Sequence, residues 1–203
     1  QIAVVHNGII ENYAAIKEEL IGKGYEFVSQ TDTEVIAHLV HYYYKGDLLG
    51  AVENVLRRIR GAFALAISCK DEPGRIVAAR VAAPLVIALG ENENFVASDP
   101  MALAGVTDRY IYLEDGDVAD VRQQSAEIYN LQGDQFVRVK RPVSVVQGFS
   151  QNIALGPYTH YMQKEIFEQP QAISDTLEGV VGISSSIFGH ETPAMFKRLK
   201  RVL

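Results

Sequence analysis

Three consecutive residues interrupt an apolar run near the start of the chain. "VVHNGIIEN" spans Val4 to Asn12, and His6, Asn7 and Gly8 stand between two pairs of β-branched residues. Two chemistries fit this triplet. Asn-Gly is a strong hairpin signal, because both residues tolerate positive φ. It is also suited to an anion hole. The Asn amide and a nearby backbone N–H can both donate to a developing oxyanion, and glycine lets the backbone approach a reacting carbon closely. A second candidate is Asp32, in "TDTEV". An acid in the first turn of a helix complements the dipole. A carboxylate at an exposed strand-to-helix corner can equally receive a ligand ammonium group.

Other reactive residues carry weaker signals. Cys69 ends an apolar run beside Lys70, with no base in view, and reads as a structural cysteine. The histidines, His6, His38, His41, His160 and His190, form no HExxH pattern, so no metal site is expected. "GISSS" at Gly182 to Ser186 reads as a surface loop rather than a phosphate cradle, and "RRIR" at Arg57 to Arg60 as a solvated helix end.

The elements that must position these residues follow from periodicity. Ile2 to Val5 opens a strand. Asn12 is placed to cap a helix, "YAAIKEELIGKG", with Gly24 as its stop. "YEFVS" reads as a short strand. A capping box, Thr31 to Glu34, begins "TDTEVIAHLVHYYYKG". Asp47 is placed to cap "LLGAVENVLRRIRG", a helix expected to end at Gly61. The period then changes to two: "AFALAISC", "RIVAAR", "PLVIALG", "NFVAS", "RYIYLE", "DVADV", "AEIYNL" and "QFVRVK" are strands, and "DPMALAG" is a helical turn. Several strands are continuously apolar, so both of their faces should be covered. From Pro142 no period is sustained, and the stretch reads as a linker. "HYMQKEIFEQPQAISDTL" is then helical and expected to break at Pro170, "GVVGISSS" is a loop, and "TPAMFKRLKRVL" is a basic amphipathic helix or the lead-in to a strand.

Bulk properties narrow the function. The chain has 203 residues, 48% hydrophobic and 22% charged, as in a globular protein. A net charge of −6 argues against a nucleic-acid binder, which needs a basic face. No apolar run reaches the roughly 18 to 20 residues of a membrane span, so no membrane association is expected. One cysteine excludes an internal disulfide framework, and a cytoplasmic location is expected. Gln1 opens directly on a strand-like run, which suggests that sequence upstream is missing.

Taken in order, "HNGIIEN", "TDTEVIAHL", "PLVIALGENENFVASD", "YIYLEDGDVA" and "HYMQKEIFEQP" resemble one family, the glutamine-dependent glucosamine-6-phosphate synthases (glutamine:fructose-6-phosphate aminotransferase, isomerising). "HNG" alone is similar to other glutaminases with an N-terminal nucleophile, and "HYMQKEIFEQP" discriminates among them. The resemblance covers nearly the whole chain. It implies an α+β fold, a four-layer αββα N-terminal-nucleophile glutaminase sandwich, here partial and followed by a helical linker. Residues 1–141 would be the glutaminase domain lacking its N-terminal part, 142–159 the linker, and 160–203 a helical lead-in to a sugar isomerase domain. It implies an oxyanion hole from the Asn7 side chain and the Gly8 N–H, with Asp32 binding the α-amino group of glutamine and Gly8 lining the same pocket. Glutamine and fructose-6-phosphate would be the partners, the full-length enzyme a homodimer, and no metal or organic cofactor would be needed.

The family's nucleophilic N-terminal cysteine and its carboxylate-gripping segments have no counterpart here, so the chain alone is expected to be inactive. "RVAAPL" at Arg80 to Leu85 carries alanines where the family usually shows Gly-Ser. The rival expectation is a non-catalytic, glutaminase-like binding or scaffolding module.

Overall fold

The computed structural model describes residues 1–146 and 155–176. The chain divides into two compact units, Gln1–Ile153 and Ala154–Leu203. In the first, β1 (Ile2–Ile10) is followed by three helices, α1 (Tyr13–Gly22), α2 (Thr33–Tyr43) and α3 (Leu48–Leu56). Strands β2 (Gly61–Cys69), β3 (Arg75–Val81), β4 (Val86–Leu89) and β5 (Asn94–Ala97) come next. After a 3-10 turn at Pro100–Leu103 come β6 (Arg109–Tyr112), β7 (Asp117–Arg122), β8 (Ala126–Gln132), β9 (Gln135–Val139) and β10 (Ser144–Val145).

The strands form two antiparallel sheets. One has six strands in the order β1-β2-β3-β7-β8-β9; the other has four, in the order β10-β6-β4-β5. Period-two alternation sorts their side chains into separate cores. Phe63, Leu65 and Ile67 of β2 and Val77 and Ala79 of β3 face the helices, where Leu20, Ile36, Leu39, Val52 and Val55 bury against them. Ala64, Ala78, Ala119 and Ile128 turn to the other face and meet Ile87 and Ile111 of the smaller sheet and Leu85 and Leu113, which flank its strands. The small alanines let the two sheets approach. On the outer face of the smaller sheet, Leu103 of the 3-10 turn packs with Val86, Ala88 and Tyr110. The layers are thus helices, sheet, sheet and a short outer cover, as expected for an α+β sandwich with both strand faces buried.

Two buried ion clusters tie this frame. Arg75 holds Asp120 through two hydrogen bonds of 2.8 Å, and also meets Asp47 and Glu72. Asp117, fully buried, accepts two 2.8 Å bonds from Arg141, one from Asn130 and one from the Glu114 N–H. Burial pushes the Asp117 carboxyl up, but these donors outweigh it and hold the group below its ordinary value.

Several local expectations are corrected. The Asn-Gly pair makes no turn: β1 runs straight through it, in unbroken register with β2 from Ile2↔Cys69 to Ile10↔Gly61. "YEFVS" forms no strand. Instead the stretch lies along α2, held by a Tyr25–His41 bond of 2.8 Å and by Glu34. Asn12 does not cap α1; its side chain bonds the Arg58 carbonyl and the Arg60 N–H, closing the turn that leads into β2. Asp47 does cap α3, accepting from Leu49 and Gly50 N–H, but the helix ends at Leu56 and Gly61 begins β2. Ser144 and Val145, in the irregular stretch after Pro142, pair with β6.

The described part of the second unit is α4 (Tyr161–Thr176), which continues through Pro170 instead of breaking there. Tyr158 and Phe167 stack at 5.8 Å. "GVVGISSS" and "TPAMFKRLKRVL" lie outside the described residues.

Candidate functional site

β1 is the edge strand of the six-stranded sheet, so among the described residues one of its sides has no neighbouring strand. Ladder alternation decides which backbone groups face that open side. The Glu11 N–H donates to the Arg60 carbonyl and the Lys70 N–H to the Gln1 carbonyl, both at 2.9 Å, so odd-numbered residues of β1 point their polar groups toward β2. Even-numbered residues point outward. Ile10 shows this directly: its N–H leaves the sheet and donates to Asp32 Oδ2 at 2.8 Å. Gly8 precedes it by two residues, and by the same alternation its N–H points to the same free edge.

Glycine is required at that point for a second reason. Gly8 has φ +123°, and a Cβ placed on it would stand 2.1 Å from the Ala62 carbonyl oxygen. Gly61, which pairs with Ile10 two positions along, has φ +133°, and its Cβ would stand 2.1 Å from the Ile9 carbonyl oxygen. The two glycines let β1 and β2 approach without a bulge.

Side chains alternate as well. Val4, Ile10 and Ile2 turn to the helical core, and His6 shares their face. Asn7 turns to the opposite face, where it is exposed beside Val5 and Ile9, and it makes no hydrogen bond among the described residues. The Asn7 side chain and the Gly8 N–H thus come from adjacent residues of β1, the first on an exposed face of the strand and the second on its free edge.

Asp32 arrives from α2. It is the residue before the helix, but its own backbone is helical (φ −68°, ψ −22°) and its side chain caps nothing. The expected capping box is also rearranged. Glu34 reaches back not to Thr31 but to the Val28 and Ser29 N–H groups and the Ser29 hydroxyl. These bonds hold the Glu34 carboxyl at a pKa of about 2, the Ser29 hydroxyl being the largest cause. Freed from capping, Asp32 spends one oxygen on Ile10. Its other oxygen, Oδ1, lies 4.0 Å from His6 Nδ1, and the side chain keeps a 21% exposure. His6 Nδ1 bonds the Thr33 hydroxyl at 2.9 Å. Burial holds the His6 imidazole below its ordinary value, and the charge of Asp32 offsets this only in part.

The structure thus brings Asp32 to the strand that carries Asn7 and Gly8, and it does not bring Cys69 there. Cys69 pairs with Ile2, while Asn7 pairs with Ala64. Five strand residues separate the two places, about 17 Å, and Cys69 is buried in the helical core. Thr33 and the pairing role of His6 were invisible in the sequence, since the contact joins residues 27 positions apart. Among the described residues no group of three or more His, Cys, Asp or Glu could hold a metal ion, and no helix is long and apolar enough to cross a membrane.

Chemically, β1 offers a side-chain amide donor on one face and a backbone N–H on its free edge, and Asp32 brings a carboxylate to that edge at Ile10. The sequence profile of the glutamine amidotransferase domain matches residues 1–105. The chain belongs to this glutamine amidotransferase family. Among sequence relatives of the family, glutamine–fructose-6-phosphate aminotransferase (isomerizing) of Bordetella pertussis is 52% identical over 203 residues, covering 100% of this chain and 33% of the relative. The Pseudomonas aeruginosa protein of the same name is 44% identical over 207 residues, again with 100% and 33% coverage. The chain therefore spans about a third of the length of these curated relatives. Among solved structures, the glutamine phosphoribosylpyrophosphate amidotransferase of B. subtilis, complexed with ADP and GMP, superposes with a TM-score of 0.58 at 26% identity. That match covers 65% of this chain and 29% of the other.

Proposed function

We propose that the protein carrying this chain hydrolyses glutamine at the β1 edge and delivers the ammonia to fructose-6-phosphate, giving glucosamine-6-phosphate. One observation carries the glutaminase half: the Gly8 N–H and the Asp32 carboxylate share a single free edge, two residues apart along β1. That spacing is about 6.6 Å. Four bonds separate the α-amino nitrogen of glutamine from its side-chain amide carbon, roughly 5 Å when extended. A glutamine laid along the edge can give its ammonium group to Asp32 while its amide carbonyl reaches Gly8 and Asn7.

In this reading a cysteine thiolate of the same protein attacks the amide carbon. The carbonyl oxygen becomes an oxyanion and accepts from the Asn7 amide and the Gly8 N–H. The tetrahedral intermediate collapses as its nitrogen takes up the proton that the thiol gave up, releasing ammonia and leaving a thioester that water hydrolyses to glutamate. The Asn7 side chain supports this role, because it bonds to no other group among the described residues. The sugar-directed half rests on the relatives' name and on "HYMQKEIFEQP". Residues 1–141 are read as part of the glutaminase domain, 142–159 as linker, and 160–203 as the lead-in to an isomerase domain.

The test is glutaminase kinetics on the full-length protein. Asn7→Ala should lower kcat about a hundredfold to a thousandfold with little change in glutamine KM. Asp32→Asn should raise KM strongly while folding is kept, since the Asn carbonyl can still accept from Ile10. Near-normal kcat in the first variant would remove Asn7 from the oxyanion hole. Glutamine binding with no hydrolysis in the unmodified protein would favour a non-catalytic binding module.

A further inference from the structure

His6 is not assigned by the reading above, yet it is the most constrained polar group near the site. Its side chain is only 3% exposed. One ring nitrogen, Nδ1, bonds the Thr33 hydroxyl at 2.9 Å; the other, Nε2, is buried with no partner among the described residues. An apolar side chain at this place would avoid that desolvation cost. The bond it does make joins the centre of β1 to the first residue of α2, next to Asp32.

We propose that His6 is a positioning residue for the carboxylate that receives the substrate ammonium group: by holding Thr33 it fixes Asp32 against β1. The inference rests on the glutaminase reading of Asp32. Asp32 itself is secured by one hydrogen bond, Ile10 N–H to Oδ2, and is partly exposed. A carboxylate held at one oxygen can change rotamer. The adjoining backbone cannot follow freely while Thr33 is bonded to a buried ring on the strand. The tautomer follows from the partners. A buried lone pair without a donor is tolerated better than a buried N–H without an acceptor, so Nε2 is the bare nitrogen and Nδ1 carries the proton. Nδ1–H then donates to Thr33 Oγ1. Asp32 Oδ1 lies 4.0 Å from the same ring nitrogen.

The test compares His6→Phe, His6→Asn, Thr33→Val and Asp32→Asn in the full-length protein, reading kcat, glutamine KM and melting temperature for each. His6→Phe should raise KM about tenfold, the effect of one lost anchoring bond, with kcat within about twofold. Thr33→Val should match it, and the double variant should add little, because both changes cut the same bond. His6→Asn, whose amide can donate to Thr33, should recover most of the KM. Nitrogen-15 shifts of the His6 ring should show a protonated Nδ1. If Asp32→Asn raises KM but Thr33→Val and His6→Phe do not, the positioning role is overturned and His6 is a packing residue. If Thr33→Val leaves KM unchanged where His6→Phe fails to fold, the role is overturned equally. A protonated Nε2 would overturn the donation. An unchanged KM in Asp32→Asn would instead remove the glutaminase reading on which the inference stands.

Discussion

Gly8→Ala tests the reasoning about β1 most severely. The added Cβ meets backbone atoms, not a yielding side chain: the Ala62 oxygen at 2.1 Å and Ala62 C and Phe63 Cα at 2.9 Å. Relief needs a shift of about 1 Å between strands that are held about 4.8 Å apart. A ladder bond near 2.9 Å would then open to about 3.9 Å, beyond hydrogen-bonding range. Losing the two bonds that flank the contact costs about 2 kcal/mol net. Holding a residue with a Cβ at φ +123° adds about 1 to 3 kcal/mol. The total, about 3 to 5 kcal/mol, is a large share of a typical stability of roughly 5 to 15 kcal/mol. The chain has no tryptophan, so urea unfolding is best followed by far-ultraviolet circular dichroism. Gly61→Ala should behave alike, because it meets the Ile9 oxygen at the same 2.1 Å. A midpoint within about 0.5 kcal/mol of the unmodified protein for either variant would show that the strands are not in this close register.

Asp117→Ala should destabilise by about 3 to 5 kcal/mol, since it leaves Arg141, the Asn130 amide and the Glu114 N–H without their buried acceptor; a thermal melt within a degree of the unmodified protein would contradict the pair. Ala82 takes a left-handed backbone, φ +55°, in the stretch where the family usually shows glycine and serine. Ala82→Gly should therefore be neutral or stabilising by up to about 1 kcal/mol, and a clear loss of stability would refute the strain. Glu34 is shifted down by its Ser29 and Val28 donors, so its contribution is complete above its ordinary value of 4.5 and lost as pH falls from there toward about 2. Urea midpoints measured across that window should fall more steeply for the unmodified protein than for Glu34→Gln, and parallel curves would show that the Glu34 bonds are not formed.

Much of the frame was legible because it depends on neighbours in sequence. Period-two runs marked β2 to β9, and their continuous apolarity announced sheets buried on both faces. Asp47 signalled its cap because the acceptor and its N–H donors lie within three residues. Other outcomes were not local. Asn-Gly reads as a turn wherever it stands; it is straightened here because β2, far along the chain, pairs with it, setting Ala64 against Asn7 and Phe63 against Gly8, and Gly8 without a Cβ leaves room for the two backbones to meet. "YEFVS" has strand composition, but it lies along α2, where Glu34 and His41 claim its polar groups. Asn12 and Thr31 looked like caps, and the fold spent Asn12 on the Arg58–Arg60 turn and left the Thr31 box unmade.

For the site, the residue types in "HNG" and "TD" named the candidates, and the resemblance ordered them. Only the tertiary structure decided their geometry. Antiparallel pairing with β2 turns the N–H groups of Gly8 and Ile10 to a free edge, and the docking of α2 brings Asp32 to that edge. A strand alternates its polar groups the same way in any protein; which side is left open depends on what pairs with it, and that is settled by segments 50 to 60 residues away.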